Sequence, residues 1–335
     1  MEKTADFTEG RILSRLLRFA LPVLAALFLQ AMYGAVDLMV VGQFGAPTDV
    51  SAVSTGSQIM QTVTSLITGL AMGITILVGQ KIGEKRPEQA GDVIGSGICL
   101  FGVLAAVLTV LMILGAGFLA GLMHAPDEAF SQTVDYIRIC SAGAVFIIAY
   151  NVLGSIFRGI GDSRMPLFTV AAACVFNIGG DLLLVAGFHM GAAGAALATV
   201  AAQAASVLLS LAVIRRRTLP FTIGKKNLRF ERRLVGRILA LGTPIALQDL
   251  LVSISFLVIL AIVNSMGVIA SAGVGVAEKL CAFIMLVASA YMQSMSAFVA
   301  QNMGAGKPER AKRALLYGIG TSLMAGVTLF YFSFF

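Results

Sequence analysis

Residues 79–90 read GQKIGEKRPEQA, and residues 300–311 read AQNMGAGKPERA. The two stretches share five identities at a constant offset of 221 positions: Gln80/Gln301, Gly83/Gly304, Pro87/Pro308, Glu88/Glu309 and Ala90/Ala311. Upstream, Pro22 also matches Pro244, at an offset of 222. Self-similarity at a fixed period indicates that the chain is internally duplicated.

The composition places the chain in a lipid bilayer. Hydrophobic residues make up 58% of its 335 positions, charged residues only 12%, and the mean hydropathy is +0.91. Soluble domains average about 45–50% apolar and about 25% charged residues. Because lipid offers the backbone no hydrogen-bond partners, long apolar runs are predicted to be helices. Nine runs exceed the ~20 residues that a spanning helix needs, at 18–42, 51–78, 93–121, 134–157, 166–188, 192–214, 238–264, 268–299 and 314–335.

Basic residues lie mostly on one side of the predicted membrane. A net charge of +7 alone fits a nucleic-acid partner as well as a membrane surface. With the N-terminus in the cytoplasm, almost every Lys and Arg falls in an inner loop, and only Arg138 and Lys279 fall outside. This is the positive-inside pattern. We therefore expect a multi-pass protein of the plasma membrane with a cytoplasmic N-terminus, in contact with membrane lipids and without a nucleic-acid partner.

The duplication predicts the domain organisation as well. A unit that repeats after an even number of crossings re-enters the membrane in the same orientation, so six helices per copy give two parallel six-helix repeats. We predict an N-terminal lobe at 1–214 with helices one to six, a basic cytoplasmic linker at 215–236, and a partial C-terminal lobe at 237–335 with helices seven to nine. The fold class is thus all-α integral membrane, with an incomplete second repeat and nine transmembrane helices in this chain.

Acidic residues inside the apolar runs mark a candidate site. A charged carboxylate near the bilayer centre costs at least ~2.5 kcal/mol, so such residues are usually functional. Asn177 and Asp181 are four residues apart and share one face of the predicted fifth helix. By helix rise, Asp37, Asp181, Thr199 and Tyr136 all lie within roughly 10 Å of the outer interface. We expect these side chains to converge in the outer half of the N-terminal lobe.

Two chemistries fit such a pair of carboxyl groups. One is proton exchange, and the other is binding of a monovalent cation by Asp37, Asn177 and Asp181, with Thr199 nearby. The alternative is a structural role, in which these side chains form a polar network that only holds the helices together. For Asp249 and Glu278, also within apolar runs, a structural role is favoured over a coupling role.

Other patterns bear on motion and on catalysis. Pro22 and Pro244 occupy equivalent first turns of two predicted helices, which makes them a candidate pair of conformational hinges. The chain contains no HExxH, no nucleotide-binding loop and no Ser/His/Asp set, so no catalytic residue is assigned and an enzyme is disfavoured. No cofactor is expected beyond a coupling ion, Na⁺ or H⁺.

Several stretches together resemble the multidrug and toxic compound extrusion (MATE) transporters. They are AVDLMVVGQFG at 35–45, GQKIGEKRPEQA at 79–90, FRGIGDSRMPL at 157–167, FNIGGDLLLVAG at 176–187 and AQNMGAGKPERA at 300–311. The resemblance implies two six-helix lobes around a central cavity. It also implies a secondary antiporter that exports amphipathic or cationic drug-like compounds against inward sodium or proton flow.

The resemblance also assigns residues. It implies that Asp37, Asn177 and Asp181 form the coupling site of the N-terminal lobe, with Tyr136 and Thr199 near it. It assigns no substrate-binding residue. Two alternatives stay open: a lipid-linked oligosaccharide flippase of the same superfamily, which needs a strongly cationic cavity that these apolar runs do not offer, and an inactive fragment.

Overall fold

The computed structural model describes the backbone of residues 6–217, 219–221, 224, 226–265 and 268–334, and the side chains of these residues except 257, 260, 261, 264, 265, 268–280, 330 and 332–334. Across these ranges the chain forms α-helices, one π-helix and connecting turns, with no strand. The helices are α1 Ile12–Phe44, α2 Pro47–Gly83, α3 Pro87–Leu122, α4 Asp127–Ala142, α5 Ala144–Gly159, α6 Arg164–Asp181 with a π-helix Leu182–Gly187, α7 Gly191–Arg216, α8 Arg232–Ser265, α9 Val268–Gly304 and α10 Pro308–Phe334.

The prediction of an all-helical membrane protein is confirmed, and the count of nine spans is approximate. Within the described residues, seven helices are long and apolar enough to cross a bilayer, and an eighth span is possible if α4 and α5 together count as one. These two helices meet at a 53° bend, inside what the sequence presents as a single apolar run. The predicted ninth run, 314–335, corresponds to α10, Pro308–Phe334, which is not among these seven helices.

Helix α2 lies at the centre of the bundle and packs against α4, α5, α8 and α9. Its contact with α8 is made backbone to backbone at glycines. A Cβ atom added at Gly73 would collide with the carbonyl oxygen of Ile238, and one added at Gly242 would collide with that of Leu70. Small residues permit such close approach where lipid removes the hydrophobic driving force between helices.

The two copies of the duplicated sequence meet in the structure. A Cβ atom at Gly83 would collide with the carbonyl oxygen of Gln301, and a Cβ atom at Gly304 would collide with that of Gln80. Gln80 and Gln301 are equivalent positions of the repeat, as are Gly83 and Gly304. The two contacts are therefore the same contact made in both directions. Such reciprocity is what a two-fold axis between parallel repeats produces.

One face of the bundle gathers these helix ends, and we call it the N-terminal face. It carries the starts of α1, α8 and α10 and the ends of α2, α5 and α9. Gln301 Nε2 donates a hydrogen bond of 3.0 Å to the carbonyl oxygen of Gly159, and Arg237 donates one of 3.4 Å to Gln80 Oε1. The face at the far ends of these helices is the opposite face.

The domain boundaries and hinges predicted from the sequence stay predictions. Helix α7 ends at Arg216 and α8 begins at Arg232, so the last residues of the predicted linker 215–236 are helical. Pro22 and Pro244 lie inside α1 and α8, and both helices continue through them.

Candidate functional site

Two carboxyl groups face each other inside the bundle. Asp37 of α1 exposes only 5% of its surface and Asp181, the last residue of α6, exposes none. Their side chains are close enough to interact electrostatically. Packing of α1 against α6 brings them together. The predicted meeting of these acids is therefore present in the structure.

The site has more acceptors than donors. Asp37 Oδ1, Asn177 Oδ1 and both carboxylate oxygens of Asp181 are buried without a hydrogen-bond partner. Asn177 Nδ2 donates a hydrogen bond of 3.4 Å to Thr199 Oγ1, which joins α6 to α7. A buried polar group left without a partner costs about 1–3 kcal/mol. A cluster of such oxygens fits a proton or a small cation that would satisfy several of them at once.

Tyr136 reaches the same region from α4. It is 3% exposed, close enough to Asp37 to interact electrostatically, and in contact with the thiol of Cys140 one turn later. Its ring packs closely on α2, where a Cβ atom added at Gly56 would collide with it. Glycine at that position thus seats the tyrosine beside the acid pair.

Two polar residues of the site escaped the sequence analysis. Gln203 Nε2 donates a hydrogen bond of 3.4 Å to the hydroxyl of Tyr33, and Gln203 Oε1 is another buried oxygen without a partner. Tyr33 interacts electrostatically with Asp37. A signal was present, because Tyr33 precedes Asp37 by four residues and Gln203 follows Thr199 by four, which places each pair on one helix face.

The backbone changes character at the site. The α-helix α6 ends at Asp181 and a π-helix continues from Leu182 to Gly187. Single π turns inside helices occur frequently at functional sites, because the wider turn re-aims neighbouring side chains. The apolar sequence that follows Asp181 gives no indication of this change.

Small residues bring α6 and α7 close enough for the site to form. A Cβ atom added at Gly180 would lie 2.9 Å from Ala198 Cβ, and one added at Gly194 would lie 3.2 Å from the carbonyl group of Leu184. This close packing aligns Asn177 with its partner across the interface. A larger residue at Gly180 would separate the two helices.

Asp49 holds the helix ends above the site on the opposite face. Its Oδ2 accepts a hydrogen bond of 2.9 Å from the amide of Ala46, and its Oδ1 accepts one of 2.9 Å from the amide of Ala192. Gly191, with φ +54°, makes the turn that presents this amide. The start of α2 is thereby tied to the start of α7.

All five predicted site residues therefore come to one region, and the other candidates lie elsewhere. Asp249 is half-buried in α8 and Glu278 has its side chain outside the described part of the chain, so their structural interpretation stays a prediction. The proposed hinge prolines belong to α1 and α8 and are not part of the cluster.

Comparison with known proteins agrees with this architecture. The sequence profile of the MatE family matches residues 22–183 and 244–335. The chain is 29% identical over 318 residues to the probable multidrug resistance protein YoeA of Bacillus subtilis, covering 93% of this chain and 69% of that protein. It is 28% identical over 309 residues to the probable multidrug resistance protein YpnP of the same organism, covering 92% and 69%.

Solved structures agree on the fold. The outward-facing structure of a multidrug resistance MATE family transporter superposes with a TM-score of 0.90 at 23% identity, covering 99% of this chain and 74% of that one. Members of this family are membrane transporters and not enzymes. This confirms the prediction of a transporter and the prediction that the protein is not an enzyme. The chain belongs to the MatE family, the multidrug and toxic compound extrusion transporters.

Proposed function

We propose that the chain works as a secondary antiporter that exports amphipathic or cationic drug-like compounds in exchange for inward sodium or protons. The observation that carries the proposal is the buried pair Asp37 and Asp181, which leaves three carboxylate oxygens without a hydrogen-bond partner. Buried acids within spanning helices mark ion pathways and proton relays.

Occupancy of this pair gives a physical basis for coupling. Two facing carboxylates in a region of low dielectric repel each other unless a proton or a cation lies between them. The pair joins α1 to α6, so loading draws these helices together and unloading favours their separation. An ion that binds one conformation more tightly than the other shifts the population between them.

The unpartnered oxygens also fit a monovalent cation. Carboxylate and amide oxygens are hard ligands of the kind that hard cations prefer. Asp37, Asp181, Asn177 and Gln203 supply them from three helices. The same oxygens accept hydrogen bonds from a protonated acid, so sodium and proton coupling are the two arms of the test below.

A second feature suits the proposed substrates. A cavity of about 650 Å³ lies among α2, α3, α8 and α9, lined by apolar side chains including Phe118, Phe256 and Met285 and by the polar groups of Gln58 and Thr62. Drug-sized sites are typically apolar with a few polar groups and span about 300–1,000 Å³. Adaptable methionine and aromatic linings accommodate varied amphipathic molecules.

Charge disfavours the flippase alternative. A site for a lipid-linked pyrophosphate needs buried cationic groups. Among the described residues two carboxylates are buried, and the guanidinium of Arg158 on α5 is enclosed as well, with a buried Nε. It is one charge and not the cluster of cations that a pyrophosphate needs. A cationic substrate is therefore the better match to this interior.

The experiment is ion-driven transport of ethidium, a lipophilic cation, by the purified chain in proteoliposomes. We expect an imposed sodium or proton gradient to drive ethidium movement, with the two gradients applied separately to identify the ion. Asp37→Asn and Asp181→Asn should each abolish the driven movement, while the exposed Asp127→Asn retains it. Driven transport that survives in both site variants would overturn the proposal.

A further inference from the structure

The segment ahead of α1 is built into the bundle. Phe7 is fully buried, with its ring stacked on Phe298 of α9 at a centroid distance of 4.8 Å and edge-on to Phe19 of α1 at 5.0 Å. Aromatic pairs in these geometries contribute beyond the area they bury. One side chain thus bridges a helix of the first repeat and a helix of the second.

The backbone of the same segment is held by the second copy of the duplicated motif. Asn302 Nδ2 and Arg310 Nε donate hydrogen bonds of 3.2 Å and 2.9 Å to the carbonyl oxygen of Phe7. Gln301 Oε1 accepts one of 3.4 Å from the amide of Phe7. All three partners belong to the stretch AQNMGAGKPERA.

Two further bonds extend the attachment along the segment. Lys307 Nζ donates a hydrogen bond of 3.0 Å to the carbonyl oxygen of Thr8, and Arg310 donates a second one of 2.7 Å, to that of Glu9. Side chains that bind backbone groups recognise an extended segment by its main chain and only weakly by its sequence. We call residues 6–11 the strap. The strap lies in a binding site formed by α9, α10 and the turn between them, which we call its receptor.

The repeat supplies a counterpart. The linker that leads into α8 is bound by α3 of the first repeat, where Asn227 Nδ2 donates a hydrogen bond of 2.7 Å to Asp92 Oδ1 and Ser96 Oγ donates one of 3.1 Å to the carbonyl oxygen of Arg229. At an offset of 222, Phe7 corresponds to Arg229, so equivalent carbonyl groups are bound in both places. Each repeat therefore binds the segment that leads into the first helix of the other.

We propose that the strap and its counterpart are paired latches that hold the N-terminal face closed, and that the strap must leave its receptor before this face can open. The proposal rests on the antiport function, because alternating exposure of a site requires each face to open in turn. The reciprocal contacts of Gly83 and Gly304 bring the ends of α2 and α9 into backbone contact, which joins the two repeats at this point of the face. Opening it requires α9 to move from α2, and the strap ties α9 and α10 to the start of α1.

A reversible cross-link tests the requirement for release. The four native cysteines, which are all free thiols, are first replaced by alanine. Thr8→Cys and Lys307→Cys are then joined by a bismaleimide reagent with a cleavable disulfide spacer. We expect at least tenfold slower ethidium movement while the link is intact and full recovery after reduction. A control pair within α10, Glu309→Cys and Arg313→Cys, both at exposed positions, should leave the rate unchanged under the same reagent.

A distance measurement tests the strap without depending on transport. Spin labels on Glu9→Cys and Glu309→Cys, both at exposed positions, report whether the strap is docked. We expect a short distance and a second, longer population that grows when ethidium and the driving ion are supplied, and that dominates in the Phe7→Ala variant.

The outcomes separate the two proposals. If the unlinked protein does not move ethidium, the antiport proposal fails while the spin-label distances still decide whether the strap opens. A single short distance under every condition, or unchanged ethidium movement with the link intact, would overturn the strap.

Discussion

At the residue scale, the site depends on oxygens that have no internal partner. Four such oxygens lie in one region and belong to Asp37, Asn177 and Asp181. The amide nitrogen of Asn177 donates its hydrogen bond to Thr199. Native proteins rarely leave buried polar groups unsatisfied, and each exception calls for an explanation such as a role in binding. The coupling ion or proton that we propose for this site would supply that explanation.

Thr199→Val removes the hydroxyl acceptor that orients Asn177. A hydrogen bond of this kind contributes about 1 kcal/mol, which corresponds to about fivefold in cation affinity. We expect that loss in the concentration of sodium or protons needed for half-maximal ethidium exchange. Thr328→Val, at an exposed position of α10, serves as the matched control. Equal ion dependence in the two variants would show that the contact does not position a ligand.

The same residues show how much of the candidate site could be predicted from the sequence. Buried acids and four-residue spacing were enough to predict that Asp37, Asn177 and Asp181 lie in one region, because a charge in lipid is costly and helix periodicity fixes which face it occupies. Their role in coupling stays a prediction. Tyr33 and Gln203 were missed, although each lies one turn from a predicted residue. Neutral polar side chains cost less to bury, so they stand out less in an apolar run.

At the scale of elements, glycines decide which helices touch. In α2, Gly73 meets the backbone of α8, whereas Gly117 in α3 has no heavy atom within 4 Å of an added Cβ. Gly73→Ala should destabilise the fold by about 1–3 kcal/mol through overpacking. Gly117→Ala should be neutral or stabilising by about 0.5–1 kcal/mol, since alanine is the better helix former.

Thermal unfolding of both variants in detergent checks this difference. A lower midpoint for Gly73→Ala together with an unchanged or higher midpoint for Gly117→Ala is the expected result. Equal midpoints would mean that the α2–α8 contact yields to a methyl group and does not set the position of α8.

Two features of the helices could not be predicted from the sequence, whereas the positions of the helices could. Apolar runs located the helices, because the bilayer demands long continuous spans. The bend between α4 and α5 falls inside the uninterrupted run 134–157, and the π-helix follows Asp181 without a change in composition. Both depend on contacts with neighbouring helices, which a single sequence does not display.

At the scale of the whole molecule, duplication accounts for the arrangement of the repeats. The motif copies at 79–90 and 300–311 lie against each other through Gly83 and Gly304, and each repeat holds the segment leading into the other. Sequence identity at a fixed offset predicted the repeat but not these exchanged segments. Most of the groups bound in these segments are backbone carbonyl groups, which every residue carries, so no sequence pattern marks them.

The strap should stay docked at physiological pH. Partial burial of the Asp6 carboxyl raises its pKa, but hydrogen bonds from Thr8 and the charges of Arg15 and Lys307 outweigh burial and hold the pKa below its usual 3.8. A carboxyl with a lowered pKa stabilises the docked form fully above the usual value, and this contribution is lost as the pH falls through the lowered one.

We therefore expect the docked population, measured by the spin-label distance, to be constant between about pH 5 and pH 8 and to fall only below about pH 4. Asp6→Asn should weaken docking at every pH at which the carboxyl is ionised, leave it equal to that of the unsubstituted protein in strong acid, and thus remove the acid dependence. A docked population that changes near neutral pH in the absence of substrate would mean that another group controls the strap.

The most direct test of the central claim is release of the coupling cation by substrate. Purified protein is loaded with sodium or equilibrated at a set pH, and ethidium is added while sodium and pH electrodes record what leaves the protein. The account predicts release of sodium or protons from the unmodified chain and from Asp127→Asn, and none from the double variant Asp37→Asn, Asp181→Asn. Equal release from the double variant would contradict the assignment of the coupling site to this pair.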